Sequence, residues 1–301
     1  MERCTLTATD VGSLRKRVPL GPLTSYRCGG EAEYFARPED AAELAELLRF
    51  AAERSLPLRV LGRGTNVLVS DAGVEGLVLS LGEGFRRIER DGRLVRAGAA
   101  VSMGMLVRFA VTNGLGGLAP LAGIPGTLGG ALVGNAGSGG AEIGALVESV
   151  TVVTPEGAVR ELSAAECGFG YRRSSLSGVV VSALLRLRPS DAETEAASAR
   201  AAVLDRRRFP RGRTAGSVFK NPPGCSAAAL LDAAGLKGAS VGGAVVSGRH
   251  ANFIICRSES ADDVARLMAA CRRAVFERFG VLLEPEIRLW GFPPDILEVK
   301  T

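Results

Sequence analysis

Three stretches of this 301-residue chain carry residue types whose spacing suits chemistry. The first is LGRGTNVLVSD, Leu61 to Asp71, which follows a strand-like run. Gly62 and Gly64 let the backbone approach a ligand, and Thr65 and Asn66 add polar groups beside exposed N–H donors. Such a turn can hold a pyrophosphate. It is not a G-x-G-x-x-G fingerprint, because the third glycine is missing and a strand, VLVS, comes next in place of a helix. An ordinary turn fits the local pattern equally well.

The second stretch is NGLGGLAPLAGIPGTLGGALVGNAGSGG, Asn113 to Gly140, with eleven glycines among 28 residues. Pro125 fixes φ after Ile124, while Gly126, Gly129 and Gly130 bracket Thr127 and Leu128 and permit positive φ or close approach of a flat ligand. A flexible linker would be richer in Ser and charge and would lack Ile, Leu and Val at intervals. The pattern favours a binding surface built from backbone. The third stretch, RRRFPRGRTAGSVFKNP (Arg206 to Pro222), packs five arginines, a serine, a lysine and an asparagine into 17 residues. Arg206 to Arg208 read best as a solvated helix C-terminus, where cations offset the macrodipole. Ser217, Lys220 and Asn221 read best as an anion-binding loop with a hydroxyl able to donate a proton. His250, the one histidine, is expected to be a hydrogen-bonded structural residue. Glu284 and Glu286 alternate with apolar residues and would share a face of a strand, either on the surface or near a reaction centre.

Elements must position these groups. Pro38 to Arg54 predicts a helix with acidic residues in its first turn and Leu44, Leu47, Leu48 and Ala51 on one face. Strands are expected at LPLRVLG, at VEGLVLSLG and across Phe85 to Ala97, the last turning at Asp91-Gly92. Met103 to Asn113 predicts a helix stopped by Gly114. VESVTVVTPEGAVREL predicts a hairpin turning at Pro155 to Gly157, and GVVVSALLRLRP a strand ended by Pro189. Helices are expected at Asp191 to Arg208, at Ser226 to Ala234, and after Ser260, where Asp263 three residues on completes a capping-box pattern. HANFIICRS and VLLEPEIRLWG predict further strands. The mixture implies an α+β or α/β architecture, with a domain division at residue 190/191.

Composition narrows the classes. The 47% hydrophobic and 23% charged content is that of a folded soluble protein of roughly two domains. The longest uncharged stretch, Phe109 to Ala141, is broken by Gly, Pro and Asn, so no membrane span is expected. The N-terminus lacks a signal-peptide core, which points to the cytoplasm. Six scattered cysteines without a CxxC pair argue against a metal site or a disulfide framework. The formal charge of +5 favours anionic ligands, but one Trp and three Tyr give little for a base-stacking surface, so nucleic acid is not an expected partner.

In this order the motifs YRCGGEAEYFARP, LGRGTNVLVSD, LAGIPGTLGGALVGNAG, FGYRRSSL, TAGSVFKNP, AGLKGASVGGAVVSGRHANFI and LEPEIRLWG resemble the UDP-N-acetylenolpyruvoylglucosamine reductases, flavoenzymes of peptidoglycan precursor synthesis. They run from Tyr26 to Gly291, and TAGSVFKNP with LEPEIRLWG separates this family from other flavoproteins of the same fold.

The resemblance implies an α+β protein. A two-part FAD-binding region of the vanillyl-alcohol-oxidase (PCMH) type would occupy residues 23–190, after a leader at 1–22. A smaller C-terminal α/β substrate domain would occupy 191–301. It implies that Gly62, Arg63, Gly64, Thr65 and Asn66 hold the FAD pyrophosphate. Gly123, Ile124, Pro125, Gly126, Thr127, Gly130 and Asn135 would line the diphosphate and isoalloxazine. NADPH would reduce the flavin and leave. The enolpyruvyl ether of the UDP-sugar would then accept hydride from flavin N5 at its terminal carbon and a proton at the carbon bearing the carboxylate.

Arg172 and Glu286 would stabilise the enolate-like intermediate, Glu286 with a raised pKa or paired to Arg172. Ser217 would donate the proton, helped by Lys220 or water. Tyr171, Lys220, Asn221 and Asn252 would bind substrate. A monomer without metal is expected. The chain reads NAGSGG where the family usually reads NAGAYG, and it lacks the tyrosine-bearing insertion of one branch, so it resembles the compact branch. The alternative is another FAD-linked oxidase or dehydrogenase of the same fold acting on a different small molecule.

Overall fold

Alternating valines build the largest sheet. In the computed structural model, which describes residues 13–299, five antiparallel strands lie in the order Val159–Ser163, Val147–Val153, Val179–Arg186, Leu94–Gly98 and Ile88–Asp91. The expected hairpins are both present: Val153 pairs with Val159 across the Pro155 to Gly157 turn, and Asp91 pairs with Leu94. Val150, Val152, Ala183 and Leu185 point into a core that also takes Val95 and Ala97, as period-two burial of β-branched residues dictates.

Packing divides the chain into two units. Among the described residues the first contains 13–16, Tyr34–Gly62 and Gly76–Arg207; the second contains Arg17–Glu33, Arg63–Glu75 and 208–299. In the first, helix α1 (Ala41–Glu53) starts at Asp40, whose carboxylate accepts the N–H groups of Ala42 and Glu43 at 2.9 Å each. It buries Leu44, Leu47, Leu48, Phe50 and Ala51 against Leu77 and Leu79, the latter paired in parallel with Val60. Helix α2 (Met103–Thr112) ends before Gly114, as its sequence requires. Helix α3 (Leu128–Val133) lies inside the glycine-rich stretch, where periodicity predicts none. Helix α4 (Ala192–Asp205) packs over the Ala119–Leu121 turn and α2. The packed unit therefore runs through to Arg207, whereas composition places the division at 190/191.

In the second unit, α6 (Ala261–Phe279) covers a short antiparallel sheet of Ser240–Val241, Ala244–Val246 and Ile254–Cys256, and α5 (Ala227–Ala233) packs on α6. Tyr26 and Cys28 are buried in the same core as Phe219, Ile254 and Met268, which is why Arg17–Glu33 packs with this unit. The closing strand is shorter than VLLEPEIRLWG predicts. Only Arg288–Trp290 forms it, pairing in parallel with Val67–Val69.

The cap of α6 ties this unit together. Ser260 Oγ accepts the Asp263 N–H at 3.2 Å, the first half of the expected capping box. The second half is replaced: Ser260 N–H goes to Ser258 Oγ (3.2 Å), and the Asp263 carboxylate turns to the Gly243 N–H (2.7 Å). The freed helix donors are taken by Asp71, which accepts from Ser260 Oγ and Ala261 N at 2.8 Å and from Asp262 N at 3.2 Å. Asp71 closes the LGRGTNVLVSD motif, so the motif ends in a cap for a helix 190 residues away. Replacing Asp71 with Ala should lower the unfolding free energy by about 1–2 kcal/mol, the usual worth of a helix cap. A urea midpoint equal to that of the parent would contradict this role.

Candidate active site

The glycine-rich stretch is ordered by backbone bonds. Leu128 N donates to Val101 O (2.8 Å) and Gly129 N to Ala99 O (2.9 Å). Gly126 O accepts from Met103 N at 3.1 Å. Thr127 Oγ1 caps α3 through Gly130 N at 3.4 Å. Leu128, Ala131 and Leu132 anchor the helix in the core, while Gly123, Pro125 and Gly130 remain exposed. Gly62 sits so close that a Cβ there would stand 2.7 Å from Thr127 Oγ1. The result is a rigid strip of backbone with almost no side chain on its open face. A flat ligand can lie on such a strip. The Ser138-Gly139 replacement falls at the tip of a two-stranded ribbon, Gly137–Ser138 with Ala141–Glu142, turning through Gly139 and Gly140 at φ +59° and +83°.

Tyr171 and Arg172 occupy the tip of a second turn in the same unit, closed by paired bonds between Gly170 and Arg173 (3.0 and 3.1 Å). Arg172 has φ +55°, its Nη2 donates to Gly137 O at 3.1 Å, and its guanidinium carbon lies 5.1 Å from the exposed Tyr171 ring. Asn135 is 1% exposed, and its amide is bonded to Glu142, Gly170 and Gly144.

In the second unit the turn Arg63 to Asn66 rests on the loop Leu23 to Ser25. Ser25 N donates to Gly64 O at 2.9 Å, and a Cβ on Gly64 (φ +61°) would fall 2.2 Å from Leu23 O. Asn66 Nδ2 donates to Glu286 O at 3.2 Å, and Asn66 O accepts from Arg288 N at 3.0 Å. A cavity of about 510 Å³ opens beside the turn, with Arg27, Arg63, Arg213, Thr24, Ser25 and Thr65 in its lining and no carboxylate among the lining residues. Three guanidinium groups with hydroxyls suit a phosphate-bearing ligand. Sequence reasoning misses Arg213. Its Nε and Nη2 donate to Tyr26 O (2.8 Å) and Arg27 O (2.7 Å), so it buttresses the loop under the turn. In the sequence it is one of the five arginines of its stretch, four residues before Ser217, with nothing local to give it this role.

The segment Ser217 to Lys220 is held on both edges. On one, Ser217 pairs with Phe253, and Val218 N donates to Asn252 O at 2.9 Å. On the other, Glu286 N donates to Val218 O and Lys220 N to Glu284 O, both at 2.8 Å. Ser217 and Glu286, 69 positions apart by their numbers, are thereby joined through adjacent backbone. Asn252 is 3% exposed and its amide is spent on Phe219, accepting from its N–H (2.9 Å) and donating to its carbonyl (2.8 Å). Lys220 is ion-paired with Glu284, and Asn221 Oδ1 accepts from Ala227 N at 3.0 Å, at the start of α5. Glu284 and Glu286 therefore differ: Glu284 is exposed and salt-bridged, and Glu286 is half-buried.

His250 packs between Phe209 and Phe253, with centroids at 5.5 and 4.8 Å, and its Nδ1 accepts from Asn252 N at 3.3 Å. Burial first, then the charges of Arg208 and Lys237, holds its pKa below the ordinary value. It is a packed, hydrogen-bonded residue, as expected. Cys28, Cys167, Cys256 and Cys271 are buried thiols and Cys225 is exposed, while Cys4 lies outside the described residues.

Comparison with known proteins sets the class first. Residues 32–163 match the family described as "FAD binding domain", so the chain is a flavin-nucleotide-binding protein. Residues 208–290 match "UDP-N-acetylenolpyruvoylglucosamine reductase, C-terminal domain". The chain belongs to the UDP-N-acetylenolpyruvoylglucosamine reductase family. It is 44% identical to UDP-N-acetylenolpyruvoylglucosamine reductase 2 of Symbiobacterium thermophilum, covering 97% of this chain and 98% of the relative. It is 45% identical to the reductase of that name from an Anaeromyxobacter species, over 93% of this chain and 89% of the relative. The crystal structure of the Thermus caldophilus reductase superposes with a TM-score of 0.81 at 36% identity, over 92% of this chain and 99% of that one.

Because Asn252 supplies both partners for the backbone of buried Phe219, its truncation has a defined cost. Asn252→Ala should lower stability by about 2–6 kcal/mol, from two backbone groups that each cost about 1–3 kcal/mol when left unpaired. Denaturant titration reads this directly. A loss below that of an exposed control substitution would show that Asn252 does not hold the segment.

Proposed function

We propose that the protein reduces the enolpyruvyl ether of UDP-N-acetylglucosamine to UDP-N-acetylmuramate, with NADPH as electron source, in the cytoplasm. The observation that carries this reading is the joining of Ser217 and Glu286 through one backbone arrangement, in the two motifs that separate this family from other flavoproteins. Among the described residues no helix is long and apolar enough to cross a membrane. In this reading residues 23–190 carry the flavin and 191–301 the substrate-binding part.

The residues present fit FAD. The strip from Gly123 to Asn135, with Gly62 against it, offers backbone where side chains would obstruct a flat ring, and the turn Arg63 to Asn66 borders a basic cavity suited to a diphosphate. When bound, FAD would be held by this strip and this turn and would supply the two-electron chemistry that couples oxidation of NADPH to reduction of the enol ether.

The chain's own groups complete the addition across the double bond. Ser217 Oγ delivers a proton to the carbon that bears the carboxylate. A serine hydroxyl is a weak acid, so its contribution depends on placement, which its doubly paired segment provides. Arg172 offers two parallel N–H donors to the carboxylate on which negative charge builds, and Glu286 acts on the same intermediate. Lys220, Asn221 and Tyr171 bind the substrate. The Lys220–Glu284 ion pair and the Asn221 bond to α5 set those two side chains beforehand.

The purified protein should be yellow, bleach with NADPH under anaerobic conditions, and recover colour on addition of the enolpyruvyl UDP-sugar. Bleached protein that the substrate cannot recolour would defeat the reading. Ser217→Ala should bleach normally and recolour about 10²–10⁴-fold more slowly, the usual worth of a general acid. Recolouring at the parent rate would remove Ser217 from the role of proton donor.

A further inference from the structure

Asn135 has an unusual combination of properties. It is buried to 1% exposure, it adopts φ +41°, and each N–H of its amide and its carbonyl has a protein partner. Nδ2 donates to Glu142 Oε2 (2.8 Å) and Gly170 O (3.0 Å), and Oδ1 accepts from Gly144 N (3.0 Å). A left-handed backbone admits Gly and Asn with least strain. Glycine would lose all three bonds. Aspartate would lose both donors and set a carboxylate against Glu142. Only Asn meets the backbone and the side-chain demands together.

The bond to Gly170 bears on the neighbouring Tyr171-Arg172 turn. Gly170 and Arg173 exchange both backbone bonds, so Gly170 O is the base of the two-residue tip formed by Tyr171 and Arg172. Two more bonds join this loop to the same short stretch of backbone: Arg172 Nη2 to Gly137 O (3.1 Å) and Ser174 Oγ to Val133 O (3.0 Å). Residues 133, 135 and 137 thus each hold one point of the loop 170–174. Glu142, which orients the Asn135 amide, is itself the strand partner of Gly137. The two bonds that bear on Arg172, one at the Gly170 base of its turn and one at its guanidinium, therefore come from one small cluster.

We propose that Asn135 is a positioning residue for Arg172: it fixes the base of the Tyr171-Arg172 turn and so the direction of the guanidinium. This rests on the reading that Arg172 meets the substrate carboxylate. It departs from the role of flavin contact that the family resemblance implies for Asn135, because the amide is committed to the protein.

The test uses the holoenzyme and monitors colour in two half-reactions, bleaching by NADPH and recolouring by the enolpyruvyl UDP-sugar. Asn135→Ser should keep its flavin and bleach as the parent does, while recolouring slows by about 10- to 100-fold, the scale expected when a catalytic group is displaced by about 1 Å. Arg172→Lys should slow the same half-reaction. The double variant should be no slower than the slower single one, because Asn135 acts through Arg172.

Recolouring of Asn135→Ser at the parent rate overturns the inference, as does a double variant whose defect is the product of the two single ones. A colourless or flavin-poor Asn135→Ser whose bound fraction recolours normally also overturns it and returns Asn135 to the flavin. If Arg172→Lys alone recolours normally, the role given to Arg172 falls and this inference with it. The overall reaction stands or falls separately on the parent enzyme's recolouring. Should Asn135→Ser fail to fold, Ser174→Ala removes one tie of the same loop. It should slow recolouring, but not bleaching, by a smaller factor, and no change in that variant counts against the inference.

Discussion

Three asparagine amides carry hydrogen bonds that a regular sheet would otherwise have made, and the candidate site depends on them. Asn252 pairs with both backbone groups of Phe219, Asn135 with Gly170 and Gly144, and Asn66 with Glu286. Buried backbone donors and acceptors must be paired. A loop that has to turn sharply and present a side chain cannot pair them through a long ladder, because a ladder keeps the chain extended. A primary amide offers donors and an acceptor in one plane, so it can stand in for a strand at a single position. Each such bond adds little net stability when made and costs more when broken, which concentrates sensitivity at a few side chains.

Glycine has the complementary part. Where asparagine supplies bonds, the glycines at 62 and 64 remove bulk, allowing backbone to approach its neighbours at distances that a Cβ would prevent. The glycine-rich strip is consequently rigid despite its composition. Its N–H groups are tied to Ala99 and Val101, and Leu128 and Leu132 are sunk in the core. Low side-chain content here means an accessible surface whose backbone is held by those bonds, in line with a composition unlike that of a flexible linker.

The placement of Ser217 shows how the chemistry leans on that framework. The hydroxyl is a poor acid, and Lys220, which the resemblance offers beside water as its aid, is ion-paired with Glu284. What the structure provides is orientation, from a segment bonded along both edges. Arg213, bonded to the Tyr26 and Arg27 carbonyls, extends the same rigidity to the loop beneath the Arg63 to Asn66 turn. Support for the turn and for the Ser217 segment is thus drawn from neighbouring residues of one loop.

Much of this was legible locally. Helix α1 with its acidic start, α6 with Ser260 at its cap, the two hairpins and the glycine-rich stretch as a built surface come from patterns a few residues long. Periodicity and capping report torsions and burial over that range. The ordered motifs also determined the family. The helix α3 was hidden because Gly129 and Gly130 have poor helix propensity, and packing of Leu128 and Leu132 overrides it. The cap of α6 by Asp71, the junction of Asn66 with Glu286 and the clamp of Asn135 on Gly170 were also hidden. Each closes a loop of tens to hundreds of residues. Its entropic cost is met only by the whole packed core, so no local pattern records it. The sequence by itself determined which residues are available for chemistry and which elements form. Tertiary structure alone decided which asparagines became framework, because a side-chain amide acquires its role only from the backbone groups that packing leaves within its reach.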